Sequence, residues 1–212
     1  QMLPTGVQNP AALEAEDAAL LPDGVRFTAV YGGEKIPVSL PIPGKFTVYN
    51  ALTVLGVAKQ LGISLGNCAD ALKTAQGVKG RVEVVPTPGK PYSVLIDYAH
   101  TPDGLENVLS SVKDFCKGRL ISVFGCGGDR DPMKRPIMGK IGVQLSDIAI
   151  ITSDNPRTEN PMAIIEDILK GVNPELGEYI VMEDRRAAIR YAMDIAEKDD
   201  IIVLAGKGHE TY

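Results

Sequence analysis

Four short segments concentrate the residue types that can do chemistry. They are Asp97-Tyr98-Ala99-His100-Thr101-Pro102-Asp103, Gly125-Cys126-Gly127-Gly128-Asp129-Arg130-Asp131, Ser153-Asp154-Asn155-Pro156-Arg157 and Gly206-Lys207-Gly208-His209-Glu210. The planar guanidinium of an arginine pairs bidentately with carboxylates and phosphates, so Arg130 and Arg157 suit an anion. An acid next to such an arginine, as Asp154 is to Arg157, suits a zwitterion such as an amino acid. The same Asp-Asn-Pro run is also ordinary turn chemistry. The glycines at 125–128 let backbone N–H groups approach an anion at a helix start, or simply serve a tight turn. They do not complete the dinucleotide fingerprint G-x-G-x-x-G, because Arg130 stands where its last glycine belongs. Asp97 and His100 are spaced to form a catalytic pair; the more economical reading is that they bind sugar hydroxyls or brace their loop. There is no H-x-x-E-H metal spacing and no G-x-S-x-G nucleophile elbow.

The elements between these segments explain why they matter together. Short runs rich in Ile and Val lie at 93–96, 120–124, 148–152, 179–182 and 201–205, with little alternation, as strands buried on both faces read. Helical stretches separate them at about 102–116, 132–145, 161–171 and 185–197. Thr101-Pro102, Asp131-Pro132 and Asn160-Pro161 each place a capping residue before a proline suited to the first helical position, and Asp184 is a fourth cap. Strand and helix alternating at roughly 25-residue spacing predict βαβ units and a mostly parallel sheet. In such sheets ligands bind beyond the carboxyl ends of the strands, and four of the five strands end in the segments above. One shared rim is expected.

The first 80 residues read differently. Val25, Phe27, Ala29 and Tyr31 alternate with polar or small residues, and Ile36, Val38 and Leu40 do so again after Gly32-Gly33-Glu34, which predicts a hairpin. Helices follow at about 48–61 and 67–75. A hairpin and two helices make a thin independent core, so residues 1–80 are expected to be the tail of a larger domain and 81–212 a domain of their own.

Composition narrows the function classes. The chain has 212 residues, 44% hydrophobic and 23% charged, which excludes wholesale disorder. Acidic residues number 27 against 22 basic ones, a net charge of −5, the wrong sign for a nonspecific nucleic-acid binder. Aromatics are 5% and Trp is absent, so base-stacking platforms are not expected. The three cysteines form no C-x-x-C and no disulfide framework, which fits a reducing cytoplasm. No apolar run approaches the roughly 20 residues of a membrane span, so no membrane partner is expected.

At these residues the sequence resembles a known family. DYAHTPDGLENVL, GCGGDRDPMKRPIMG, TSDNPRTENP and AGKGHETY, in this order, look like the C-terminal half of MurE-type Mur ligases, with FTVYNALTVLGVA and GRVEVV matching where that family's central domain joins its C-terminal domain. The resemblance covers nearly the whole chain. It implies a Rossmann-like, doubly wound C-terminal domain preceded by the tail of a central ATPase domain. It also implies an ATP- and Mg2+-dependent ligase of peptidoglycan synthesis. There the γ-phosphate of ATP activates the D-glutamate carboxylate of UDP-N-acetylmuramoyl-L-alanyl-D-glutamate, and the amine of a diamino acid attacks the acyl phosphate.

Residue by residue, the resemblance assigns Asp154, Asn155, Pro156 and Arg157 to recognition of meso-diaminopimelate, with Arg157 on the distal carboxylate that lysine lacks. A buried Arg157 facing no carboxylate would be an unpaired charge, so such a site should reject lysine. Arg130, Gly206 and Glu210 match further diaminopimelate contacts, Glu210 at the ammonium end. Asn50, Arg81, Asp97 and His100 match positions that face the nucleotide. No G-x-x-x-x-G-K-[ST] occurs, so the phosphate loop, the family's modified lysine and its magnesium-binding acids are expected upstream in absent N-terminal and central domains. No catalytic residue and no tightly bound cofactor is assigned to this chain, and it is expected not to turn over ATP alone.

Other readings remain open on residues alone. A lysine-adding ligase is disfavoured by Arg157 and a folylpolyglutamate synthetase by GKGHE. A phospho-receiver module wants paired acids after its first strand, and Asp97 stands alone there. A nucleotide-sugar or dinucleotide module is disfavoured by the broken glycine fingerprint.

Overall fold

The computed structural model describes residues 5–7 and 11–208. The chain divides into two compact units, the first ending at Gly77 and the second starting at Val78.

In the first unit, β2 (Leu13–Leu21), β3 (Gly24–Tyr31) and β4 (Glu34–Leu40) form an antiparallel meander, with the two-residue β1 (Thr5–Gly6) parallel to β2. Helices α1 (Lys45–Gln60) and α2 (Leu65–Leu72) complete the unit. Leu13, Val25, Phe27, Val38, Leu52 and Leu55 belong to one buried cluster. The expected hairpin is therefore the second half of a four-stranded sheet with its own core. Strand β2 escapes sequence reading because its alternation breaks. A bulge lies between Glu16 and Ala19, and Asp17 takes φ 53°, so only Leu13 and Ala15 alternate inward before the pattern is lost.

The second unit carries the regular pattern. Its strands are β5 (Glu83–Val85), β6 (Ser93–Asp97), β7 (Leu120–Phe124), β8 (Ile148–Thr152), β9 (Glu178–Met182) and β10 (Ile201–Ala205). They lie in the order β5-β6-β10-β7-β8-β9, all parallel except β5, an antiparallel edge. The steps β6 to β7, β7 to β8 and β8 to β9 run in one direction across the sheet. Right-handed crossovers therefore put α3 (Pro102–Lys113), α4 (Lys134–Leu145) and α5 (Pro161–Leu169) on one face, where α3 packs on α4 and α4 on α5. The return from β9 to β10 puts α6 (Arg185–Ile195) on the other. There Ala188 and Ala192 meet Val94, Ile121, Val123, Ile150 and Ile202. The sheet is doubly wound, as expected.

Three of the four expected caps start helices: Thr101 accepts from Gly104 N, Asn160 from Met162 N and Ala163 N, and Asp184 from Ala187 N. Asp131-Pro132 does not. Asp131 accepts from Met133 N at 2.9 Å in a turn, and α4 begins at Lys134.

Candidate functional site

The strand order decides which loops meet. β6, β10, β7 and β8 are consecutive and parallel, so the loops after them emerge side by side on one edge of the sheet. β9 is the far edge strand, which is why the fifth strand end carries no such segment. Gly206 N donates to Asp97 O at 3.0 Å and Gly128 N to Asn155 O at 2.9 Å, joining the loops in pairs.

Between them lies a cleft of about 170 Å3. Tyr98 and His100 line it from the first loop, Gly127, Arg130 and Lys134 from the second, Asp154, Asn155 and Arg157 from the third, and Gly206 from the fourth. Six of the expected residues, Arg130, Asp154, Asn155, Arg157, Gly206 and His100, thus come together. Pro156 shapes the loop from behind: its carbonyl oxygen would lie 1.9 Å from a Cβ on Gly128, so only glycine fits there. Glu210 lies outside the described residues. A larger cavity of about 560 Å3 beside α6, lined by Ile96, Ile189 and Leu204 with Arg185, Arg186 and Arg190, reaches Lys207 and Gly208 of the fourth loop from the other face and gathers no acid.

Two loops are laced tightly. Arg157 Nη1 donates to Gly128 O at 2.6 Å. Thr158 Oγ1 donates to Asp129 Oδ1 at 2.6 Å, and Asp129 N donates to Glu159 Oε1 at 2.6 Å. Both Asp129 (φ 51°) and Arg157 (φ 52°) sit in the left-handed region that non-glycine residues seldom adopt. Beneath them Arg135, 3% exposed, donates from Nη2 to Glu159 at 2.7 Å and from Nη1 to Asp167 at 2.9 Å. The Arg135 hydrogen bond holds the Glu159 carboxyl below its ordinary value, and the Thr158 hydroxyl does the same for Asp129.

Arg157 itself is exposed. The expectation that an unpaired Arg157 would be a buried charge is corrected accordingly: its carbonyl partner orients the guanidinium at the surface. Arg130 is exposed too, with Nη1 3.3 Å from Asp129 O.

Asp154 behaves differently. Its side chain is 8% exposed, and its Oδ1 is buried without a hydrogen-bond partner; the Lys207 ammonium stands 3.5 Å away. Lys207 Nζ also donates to Asn155 Oδ1 at 2.6 Å. Lys134 Nζ donates to His100 O at 2.7 Å. Sequence reasoning gave neither lysine a role, although both stand inside the motifs it quoted. Their signal was position, one residue after Gly206 and four after Arg130.

Asp97 and His100 do not pair among the described contacts. The Asp97 carboxylate, 7% exposed, accepts from Val82 N at 2.9 Å and Ala99 N at 2.8 Å, and His100 Nδ1 lies 3.0 Å from Tyr98 O. Asp97 is thus a brace. Arg81 is exposed with its guanidinium 5.9 Å from the Tyr98 ring centre, while Asn50 is an exposed residue of α1 in the other unit.

In sum, Arg130, Lys134, Arg157 and Lys207 surround one sequestered carboxylate. Such a surface suits a small zwitterion, with carboxylates on the arginines and an ammonium at Asp154.

Residues 80–208 match the Mur ligase glutamate ligase domain. The chain is 54% identical over 208 residues to a UDP-N-acetylmuramoyl-L-alanyl-D-glutamate–2,6-diaminopimelate ligase of Clostridium botulinum, covering 98% of this chain and 43% of that protein. It is 49% identical over 207 residues to the ligase of the same name from Clostridioides difficile, again covering 43% of it. A solved structure of a ligase with that name superposes with a TM-score of 0.81 at 37% identity, over 99% of this chain and 43% of the other. A folylpolyglutamate synthase from Thermotoga maritima shares the fold, with a TM-score of 0.69 at 22% identity. The chain spans less than half the length of these relatives.

Proposed function

The chain belongs to the Mur ligase family, and from that membership we propose that it is the amino-acid-presenting part of an ATP-dependent ligase joining meso-diaminopimelate to UDP-N-acetylmuramoyl-L-alanyl-D-glutamate. The observation that carries this reading is the cleft in which Arg130, Arg157 and the sequestered Asp154 face one small volume. Diaminopimelate has two carboxylates and two amines. The arginines offer forks for the carboxylates, and the negative charge of Asp154, which makes no hydrogen bond through Oδ1, favours an ammonium nearby. Glu210 would add a second acid at that end.

This chain's part of the chemistry is orientation. Amide formation needs an uncharged amine aimed at an activated carboxyl, and holding the amino acid by its far end converts a bimolecular encounter into a positioned one. Asn155, fixed by Lys207, and Gly206, hydrogen-bonded to the Asp97 carbonyl, keep the floor of the cleft rigid while this happens.

ATP supplies the activating phosphoryl group when bound. In this reading Arg81 and His100 face it, and Asp97 serves by holding the loop that carries His100. Mg2+ would accompany that ATP; among the described residues no group of three or more His, Cys, Asp or Glu gathers. The first unit, ending at Gly77, is the last portion of a central ATPase domain, and the second is the C-terminal domain. No described helix is long and apolar enough to cross a membrane. Use of ATP and a nucleotide-linked substrate supports a cytoplasmic enzyme.

The test is an assay of the full-length enzyme with Mg-ATP and UDP-N-acetylmuramoyl-L-alanyl-D-glutamate. Phosphate release is expected to depend on meso-diaminopimelate and not on L-lysine. Arg157→Ala is expected to lower kcat/KM for diaminopimelate about tenfold or more, the scale of one lost charged hydrogen-bonding contact. Equal use of lysine by the unmodified enzyme would overturn the reading.

A further inference from the structure

Glu159 and Arg135 do not line the cleft, yet together they brace Asp129, the residue that joins the loops of the two cleft arginines. Arg130 follows Asp129 directly, and Arg157 precedes Thr158 directly. Asp129 and Arg157 both hold left-handed backbone, which relaxes unless neighbours impose it. Arg157 is tied to the Gly128 carbonyl, and two neighbours hold Asp129. Glu159 Oε1 takes the Asp129 N–H, and the Thr158 side chain takes the Asp129 carboxylate. Glu159 is held in turn by the buried Arg135.

We propose that Glu159, seated on Arg135, is the positioning residue that sets the separation of Arg130 and Arg157 and thereby the selection of the incoming amino acid. The proposal rests on the reading that these arginines grip the amino acid's carboxylates.

The structure provides its own control. Arg135 spends one arm on Glu159 and the other on Asp167. Asp167 belongs to α5 and also pairs with Lys170, but bonds neither cleft loop. Losing Asp167 removes the same kind of ion pair from the same arginine without releasing Asp129. A purely structural role for the Arg135 cluster predicts that both losses act alike. A positioning role predicts that only the loss of Glu159 reaches the amino acid.

The experiment is steady-state kinetics of the full-length enzyme, with diaminopimelate and ATP varied separately, for Glu159→Ala, Glu159→Gln and Asp167→Asn, alongside their melting temperatures. Glu159→Ala is expected to raise the KM for diaminopimelate about tenfold or more while the KM for ATP stays within about twofold. Glu159→Gln keeps an Oε1 acceptor for the Asp129 N–H and is expected to recover most of the loss. Asp167→Asn is expected to lower the melting temperature yet leave the diaminopimelate KM within about twofold. Should Glu159→Ala not fold, Thr158→Val removes one hydrogen bond at the surface and is expected to raise that KM about threefold. An unchanged diaminopimelate KM in folded Glu159→Ala or Thr158→Val, or an equal rise in Asp167→Asn, overturns the proposal. If the unmodified enzyme uses a different amino acid, the functional reading fails, and the same variants judge Glu159 on the KM of that amino acid.

Discussion

The guanidinium of Arg157 lies across Gly127: a Cβ on Gly127 would come within 2.8 Å of Arg157 Nη1, and the same Nη1 donates to Gly128 O at 2.6 Å. Glycine is needed at 127 for the arginine and not for its own backbone, which is not left-handed. The atom in the way is the end of a flexible side chain. Gly127→Ala is therefore expected to fold, with Arg157 swung off its carbonyl. The expected outcome is a rise of about tenfold in the diaminopimelate KM with a melting temperature within about 2 °C of the parent. Gly128→Ala is the contrasting variant, since its Cβ would meet the Pro156 carbonyl oxygen at 1.9 Å, and is expected to destabilise as well.

Lys207 joins two cleft residues, donating to Asn155 Oδ1 at 2.6 Å and standing 3.5 Å from the Asp154 carboxylate. Lys207→Met keeps the apolar stem and removes the charge. Asp154, 8% exposed, is then left without its cation. The side chain of Lys207 is itself 31% exposed, so the stability loss is expected to be about 1–2 kcal/mol, below that of a fully buried pair. Saturating diaminopimelate is expected to raise the melting temperature of this variant less than that of the parent, because Asn155 has lost its anchor. A thermal shift series with the ligand checks this.

Much of the second unit was legible because its strands are short Ile- and Val-rich runs buried on both faces. β7, β8 and β10 fall where the apolar runs predict them. Their ends are marked by polar or glycine residues that a buried strand excludes. β2 was not legible, since Glu and Ala are poor strand formers and the bulge at Asp17 destroys the period. Within the site, the rim loops could be named from strand ends alone. The exposure of Arg157 and the bracing by Asp97 could not, because both depend on which backbone amides arrive from other segments, Gly128 and Val82 among them. The Arg135 cluster was invisible for the same reason: Asp129, Arg135, Glu159 and Asp167 are spread over residues 129–167 and meet only in the fold.

Cys126 lies inside the glycine loop but takes no part in the cleft. It is 2% exposed, with Sγ 3.6 Å from Met138 Sδ, and burial pushes its thiol up to about 11 from the ordinary 9.0. It is therefore no nucleophile at neutral pH. Cys126→Ser is expected to leave kcat nearly unchanged while costing about 1–2 kcal/mol, because the hydroxyl meets a thioether where it needs an acceptor. The raised thiol also fixes a sign. Its stabilising contribution is complete below the unfolded value and is lost as pH climbs from about 9 to 11, at up to about 1.4 kcal/mol per pH unit. Cys126→Ala, which has no proton to lose, is expected to flatten the alkaline fall in the urea midpoint.

At the opposite end of the sheet, Asp200 opens β10 with a fully used carboxylate. It accepts from Arg119 N at 2.6 Å, Arg119 Nη2 at 2.8 Å and Glu197 N at 2.9 Å, while only 2% exposed. Burial alone would raise this carboxyl. The Arg119 guanidinium and the two backbone amides overcome that and hold it below the ordinary value. A depressed carboxyl stabilises the fold above its unfolded pKa, about 3.9, and that contribution drains away as pH falls through the lower folded value. Asp200→Ala leaves two part-buried amides without an acceptor and reduces the Arg119 guanidinium to the Ile195 carbonyl and Glu197. It is expected to cost about 2–4 kcal/mol near neutrality. The loss should shrink below about pH 4, where the parent's own carboxylate is being protonated. Urea midpoints of parent and variant at pH 7 and pH 3 decide it: a gap that persists at pH 3 would mean that packing, not the charge, holds this corner. Asp200 is far from the rim, so diaminopimelate KM is expected to be unchanged, which separates this corner's work in building the sheet from the work of the cleft.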